Sequence, residues 1–370
     1  MSRSIRYAAA LIIAVFAPAL HAEPPEGFEQ RVEDLREQSG APGIAIAIVE
    51  QGETTLARGW GVRELGKDAP IDAHTIFATG STGKAFTVAA LATLVDEGRL
   101  SWDDKVIDHM PWFRMNDPWV TAEMTVRDLL VHRSGLGLGA GDLLYVPRSN
   151  LSRKETVERL RYIEPATSFR SSYAYDNILY IVAGQLIEEI TGRTWEQYVL
   201  EDVLRAGGMV DSTSDYDQRY AVENRALPHA RTTGVLRGLG PNVVLDERDE
   251  LGRNAMPAGG LAMSATDMAQ WLKIQLAHGA MPGGGRLFSE AAAKEMWTPV
   301  TPMPNEDWPG DLAPANPNYT AYALGWQVQD YRGARLIWHG GGGFGAITLV
   351  ALLPDQDVGI AIMINSEEAA

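Results

Sequence analysis

The sequence predicts a mixed α/β (α+β) fold: an antiparallel sheet flanked by helices, with an all-helical region inserted between its two halves. Three observations predict it. Strand-like runs stand near both ends of the chain; an almost wholly apolar helical run follows the first of them; and well over a hundred residues of helical pattern separate the ends. Residues 43–49 (Gly-Ile-Ala-Ile-Ala-Ile-Val) are β-branched at alternate positions and read as a strand, with 54–62 as antiparallel partner across the Gln51-Gly52 turn. Residues 81–96 carry Phe86, Val88, Leu91 and Leu94 and stop at Gly98, a helix buried on most sides with glycine just past its end. Helical patterns recur at 125–131, 152–162, 178–189 (ending near Gly192) and 195–204, and 205–258 reads as irregular loops with short elements. Ser264-Ala265-Thr266-Asp267 opens a helix to Leu276 and resembles a capping box with Asp in place of Glu. Residues 281–317, rich in Pro and Gly, are expected as surface loops. Residues 322–329, 346–353 and 358–364 read as strands, the last two joined by the Pro354-Asp355-Gln356-Asp357 turn. An uncovered sheet face would expose Ile360, Ile362 or Ile364, depending on register.

The first 22 residues stand apart. Arg3 and Arg6 precede the apolar run 7–19, and Leu20-His21-Ala22 resembles a cleavage site before Glu23, so residues 1–22 are expected to be a secretory signal peptide. The remainder, 23–370, is read as one domain, its α/β parts at about 23–100 and 255–370 and its helical part at about 101–254. Loss of Arg3 and Arg6 takes the formal charge from −16 to −18, which repels nucleic acid and anionic headgroups. The absence of cysteine excludes disulfides, thiolate metal sites, a cysteine nucleophile and a lipid-bearing cysteine. No His-Glu-x-x-His cluster occurs, so neither a metal nor another cofactor is expected. The chain is expected in the periplasm or secreted, with a small molecule or peptide as its partner, no nucleic acid, and no membrane span once the leader is cut.

The chemistry centres on Ser81-Thr82-Gly83-Lys84. Residues three apart share a helix face, so Lys84 stands beside Ser81, where a neutral amine can take the hydroxyl proton. An N-capping serine with a solvated lysine is the bland alternative. Tyr175-Asp176-Asn177 stands at the entrance to a buried helix, where Asn177 could simply cap it. Trp338-His339-Gly340-Gly341-Gly342-Gly343 stands where strand gives way to loop. Glycines there let a ligand lie against backbone N–H groups, or form a flexible turn.

Together these segments resemble the serine β-lactamase and penicillin-binding protein superfamily, most nearly its class C β-lactamase, DD-peptidase and esterase branch. The likeness runs from about residue 28 to 366 and includes Leu129-Leu130-Val131-His132-Arg133-Ser134-Gly135, Ala258-Gly259-Gly260-Leu261 and Leu324-Gly325-Trp326. It implies a β-lactamase/transpeptidase-like fold and a serine hydrolase that forms an acyl-enzyme on Ser81. Lys84 is implied as proton acceptor or relay, and Tyr175 as a second general base or acid whose phenol pKa would have to be lowered. Asn177 is implied as a donor to the substrate amide and to Lys84, His339 as the first residue of the Lys/His-Thr/Ser-Gly motif, and Gly341 and Gly342 as part of the binding edge. The N–H groups of Ser81 and Gly342 would form the oxyanion hole. The motif's hydroxyl is replaced by Gly340, which weakens carboxylate recognition. The implied substrates are an ester or a peptide-like amide, such as a D-amino-acid amide; a β-lactamase and a slow-turnover penicillin-binding sensor or scaffold are the alternatives. Family members follow the last strand with a helix, and some add a small β-barrel domain, so one of these is expected to be missing from this chain.

Overall fold

A computed structural model describes residues 24–367 apart from 235–237, 247–250, 306, 308 and 309. The expected signal peptide therefore lies outside the described residues. The main sheet contains β1 (Gly43–Glu50), β2 (Glu53–Gly61), β3 (Thr301–Met303), β4 (Thr320–Tyr322), β5 (Gln327–Tyr331), β6 (Ala334–Gly343), β7 (Ala346–Leu353) and β8 (Val358–Ile364). Its order among the described residues is β2-β1-β8-β7-β6-β5-β4-β3, every pair antiparallel. The last strand pairs with the first, Ile46 opposite Ile362 and Ile48 opposite Ile360. The sheet is thus assembled from both ends of the chain, as the sequence implies.

Burial alternates along β8, with Gly359, Ala361 and Met363 turned inward and Ile360 and Ile362 outward. That outer face is not bare. The helix Phe28–Ser39, which the sequence pattern did not reveal, lays Val32 against Ile46 and Trp60, with Phe28, Ile44, Ile360 and Ile362 packed around them. Val32 is its one buried residue, too weak an apolar stripe to register as a period. On the inner face, Ala265–Leu276 packs against β1 and β8.

Behind it runs the Lys84–Asp96 helix, with ten of its residues buried, Lys84 among them. Phe86 stacks on Trp271 with ring centroids 4.1 Å apart; truncating a buried ring of this kind costs about 3–5 kcal/mol. The helix Ile178–Thr191, buried along its first ten residues and closed by Gly192 in the left-handed region, packs against it.

Three local expectations are corrected. The 281–317 stretch contains a helix, Glu290–Met296, capped by Ser289, whose hydroxyl accepts from the Ala292 N–H and donates to Asp96. It also contains the edge strand β3, where Pro302 is tolerated because one side needs no ladder bonds. Residues 322–329 are not one strand: β4 and β5 flank a turn at Gly325 (φ +75°). Ser264 caps its helix, but Asp267 does not answer it; its carboxylate accepts from the N–H groups of Val210, Asp211 and Ser212 and so anchors an incoming loop.

Candidate active site

The four glycines after His339 belong to β6, not to a loop. Gly340 through Gly343 pair with Leu349 through Ala346 of β7. At Gly341 the reason for glycine is proximity to the Ser81 turn. A Cβ on Gly341 would lie 2.3 Å from the Thr79 carbonyl oxygen and 2.9 Å from the Ser81 nitrogen. A Cβ on Gly80, which has φ +51°, would lie 2.9 Å from the Gly342 nitrogen. Strand and turn meet with no room for a side chain at Gly341 or Gly80, and Ser81 and Gly342 both line one small cleft. The turn is tied down by Thr348, whose hydroxyl donates to the Thr79 carbonyl at 2.5 Å, and by Thr82, which donates to the same oxygen at 2.9 Å.

Gly80–Gly83 forms a short 3₁₀ turn leading directly into the Lys84–Asp96 helix, so Ser81 and Lys84 sit one turn apart on a common face. Lys84 is fully buried. Its Nζ contacts three oxygens: Ser81 Oγ at 3.0 Å, Asn177 Oδ1 at 2.7 Å and the Ala258 carbonyl at 2.8 Å. Two of these can only accept, so they take two N–H bonds. A neutral amine then presents its lone pair to the Ser81 hydroxyl. Burial pushes the Lys84 pKa down to about 7, against the upward pull of the Asp176 and Asp142 carboxylates. Lys84 is therefore deprotonated in a large fraction of molecules at neutral pH, as a general base requires.

Tyr175 completes the arrangement. Its hydroxyl donates to Ser81 Oγ at 2.7 Å, and Lys84 Nζ lies 5.0 Å from its ring centre. Burial pushes its phenol pKa upward, where the sequence reading required a lowered one. A buried neutral phenol is a proton donor at physiological pH, which favours the acid role over the base role. Asn177 precedes the Ile178–Thr191 helix but makes no side-chain cap. Asp176 takes that duty, accepting from the Leu179 N–H at 3.0 Å, so the Asn177 side chain is free to hold Lys84. Ser81 and Asn177 open onto a cleft of about 70 Å³ lined also by Tyr145, Arg219, Leu251, Gly342 and Phe344 among others.

His339 is placed differently from its expected contact with substrate. It is 2% exposed, and both ring nitrogens are engaged within the protein. Nδ1 lies 2.6 Å from the Gly340 carbonyl and Nε2 lies 2.7 Å from the Tyr322 hydroxyl. Burial, with Lys84 nearby, pushes its pKa down to about 3, so it carries no positive charge toward the cleft near neutral pH. The sequence reading assigned no role to Ala258, Tyr145, Asp176 or Tyr322. Asp176, inside the Tyr-x-Asn triplet, was open to notice; the others are neighbours only through the fold.

Comparison with known proteins decides the family. The model described as Beta-lactamase matches residues 28–370. The chain belongs to the β-lactamase family. Over 352 residues it is 30% identical to the unguisins hydrolase ungD' of Aspergillus campestris, a match covering 92% of this chain and 61% of that protein. It is 26% identical over 342 residues to penicillin-binding protein 4 of Amycolatopsis lactamdurans, covering 91% of this chain and 84% of the relative. It thus spans about three-fifths of the length of its fungal relative. A class C β-lactamase superposes with TM-score 0.72 at 16% identity, covering 92% of this chain and 90% of that one. D-amino acid amidase from Ochrobactrum anthropi superposes with TM-score 0.72 at 20% identity, covering 91% and 90%. The fold is the β-lactamase/transpeptidase-like fold of this family. No helix among the described residues is long and apolar enough to cross a membrane.

Asp176→Asn tests the electrostatics of this site. The kcat/KM for a neutral ester is expected to fall below pH about 7, because protonated Lys84 has no lone pair for the serine proton, and to level off above it. Asp176 favours the ammonium form, so its neutral isostere is expected to move the midpoint to lower pH. A midpoint identical in wild type and variant would contradict the assignment.

Proposed function

We propose that this chain is an exported serine hydrolase that acylates Ser81 and cleaves an ester or a peptide-like amide. The observation that carries the reading is Ser81 Oγ held between Lys84 Nζ at 3.0 Å and the Tyr175 hydroxyl at 2.7 Å. In the reaction, Lys84 takes the Ser81 proton as Oγ bonds to the substrate carbonyl carbon. The resulting oxyanion sits against the N–H groups of Ser81 and Gly342. The bond to the leaving group then breaks, Tyr175 supplies the proton to the leaving atom, and the Lys84 ammonium gives up its extra proton to the Tyr175 oxygen. Water enters along the same route, gives its proton to the base and releases the acid, with Ser81 regaining its hydrogen. Export is supported by the charge and apolar pattern of residues 1–22. The relatives named as a penicillin-binding protein, a hydrolase and a D-amino acid amidase support acyl chemistry of this kind. A panel of short acyl esters, D-amino-acid amides, D-Ala-D-Ala peptides and a chromogenic cephalosporin tests the reading; covalent labelling without turnover would favour a penicillin-binding sensor instead.

The competing reading is an efficient β-lactamase. Gly340 brings no hydroxyl to a substrate carboxylate, and His339, neutral and engaged at both nitrogens, brings no charge. One charge-assisted hydrogen bond is worth about 1.5–3 kcal/mol, or roughly ten- to a hundredfold in kcat/KM if it forms in the transition state. Uncharged esters or amides are therefore expected to outperform penicillins and cephalosporins. A Cβ on Gly340 would meet only the Trp338 ring, at 3.8 Å, so the strand admits a side chain there. Gly340→Thr is expected to shift preference toward carboxylate-bearing substrates, read as the ratio of kcat/KM for cephalosporin to that for ester. A wild type that hydrolyses the cephalosporin near the diffusion limit would sink this expectation.

A further inference from the structure

Tyr322 lies on β4, two strands away from the glycine strand, and its side chain is wholly buried. Its hydroxyl meets His339 Nε2 at 2.7 Å, and its ring lies 4.4 Å from that of His132, which in turn stacks 4.2 Å from Tyr175. The hydrogen positions follow from the partners. The Gly340 carbonyl can only accept, so His339 Nδ1 carries the hydrogen and donates to it at 2.6 Å. In the neutral ring Nε2 is then an acceptor, and Tyr322 O–H donates to it. One tautomer satisfies both contacts. The neighbouring Tyr180 phenol gives its one hydrogen to the Leu130 carbonyl at 2.8 Å, so it donates none to Tyr322.

The Gly340 carbonyl belongs to the peptide that leads into Gly341, and Gly341 and Gly342 are the residues pressed against the Ser81 turn. Strand interiors made of glycine lack side chains to hold their orientation. A side-chain bond to the first carbonyl of the run adds a restraint to the one that the ladder with β7 provides. We propose that Tyr322 is a positioning residue for acyl transfer: its hydroxyl fixes the His339 tautomer, and His339 thereby clamps the Gly340 peptide and sets the direction of the Gly342 N–H at the oxyanion space. Tyr322 touches no reacting atom. The inference rests on Ser81 acylation as the function, and it adds a second use for His339, which becomes a strut rather than a substrate contact.

The test uses the full chain and the variant Tyr322→Phe, which keeps the ring packed on His132 and deletes only the hydroxyl. Side-chain ¹⁵N NMR, with His339 resonances assigned by their loss in His339→Gln, is expected to show the Nδ1–H tautomer in wild type and a changed Nε2 signal in Tyr322→Phe. For a short p-nitrophenyl ester, kcat is expected to fall about ten- to a hundredfold through misplacement of the oxyanion donor, with KM almost unchanged. An Nε2–H tautomer in wild type overturns the proposal whether or not the variant folds. So does a kcat loss with unchanged His339 signals, which would make Tyr322 a packing residue. A wild type without ester turnover but with the Nδ1–H tautomer would instead count against the acyl-transfer reading, leaving the clamp itself intact.

Discussion

Ser81→Ala is expected to lose all turnover of esters and amides and all labelling by fluorophosphonate or β-lactam probes, while remaining folded. Removing a nucleophile costs on the order of 10⁴- to 10⁶-fold in kcat, because no other group can carry the acyl intermediate. The fold should tolerate it. Ser81 supplies neither cap nor core contact; the turn is held by Thr79, Thr82 and Thr348, none of which the substitution touches. Activity assays together with thermal unfolding of both proteins check this. An alanine variant with wild-type turnover would remove Ser81 from the chemistry.

Lys84→Met and Tyr175→Phe are expected each to lower kcat by about 10²- to 10⁴-fold, the usual contribution of a positioned acid or base. The informative quantity is their combination. Both groups bond the same oxygen, Ser81 Oγ, so each is needed for the other's proton transfer to matter. The double variant should therefore lose little beyond the worse single variant, as residues acting as a unit do. Losses that multiply would mean independent roles. Lys84→Met also leaves Asn177 Oδ1 and the Ala258 carbonyl without a shared donor, at about 1–3 kcal/mol for each buried group left unpaired. Stability measurements on the same variants separate that cost from the catalytic one.

Much of this site was legible before the fold was known because the Ser81–Lys84 spacing is local: a helical turn brings the two side chains together whatever surrounds them. The helix Ile178–Thr191 was equally plain, since its apolar residues and Gly192 mark its length and end. What could not be read is what three-dimensional contact decides. Sequence gives no sign that the Ala258 carbonyl shares Lys84 with Asn177, and it is this saturation by acceptors that orients the amine's lone pair. Nor does it show that Tyr175 is buried deeply enough to raise its pKa, which reverses the expected direction. His339 looked available because its motif position suggests the cleft edge; its burial against Tyr322 depends on β4, hidden in a segment read as part of one longer strand. The glycine run read as a place where strand gives way because glycine is a poor strand residue in isolation. Here the Ser81 turn presses on Gly341 and excludes any side chain, so tertiary contact overrides local preference. The helix Phe28–Ser39 escaped for the opposite reason: its single buried valine leaves almost no periodic signal.

The central claim, that Ser81 carries the acyl group during turnover, is tested most directly by mass spectrometry of the wild-type chain quenched in acid while it hydrolyses a short p-nitrophenyl ester. The expected result is a population heavier by one acyl group, with the added mass mapped by digestion to the peptide containing Ser81 and absent from Ser81→Ala. Turnover with the acyl group mapped to another residue, or an acyl adduct that persists unchanged in Ser81→Ala, would contradict it.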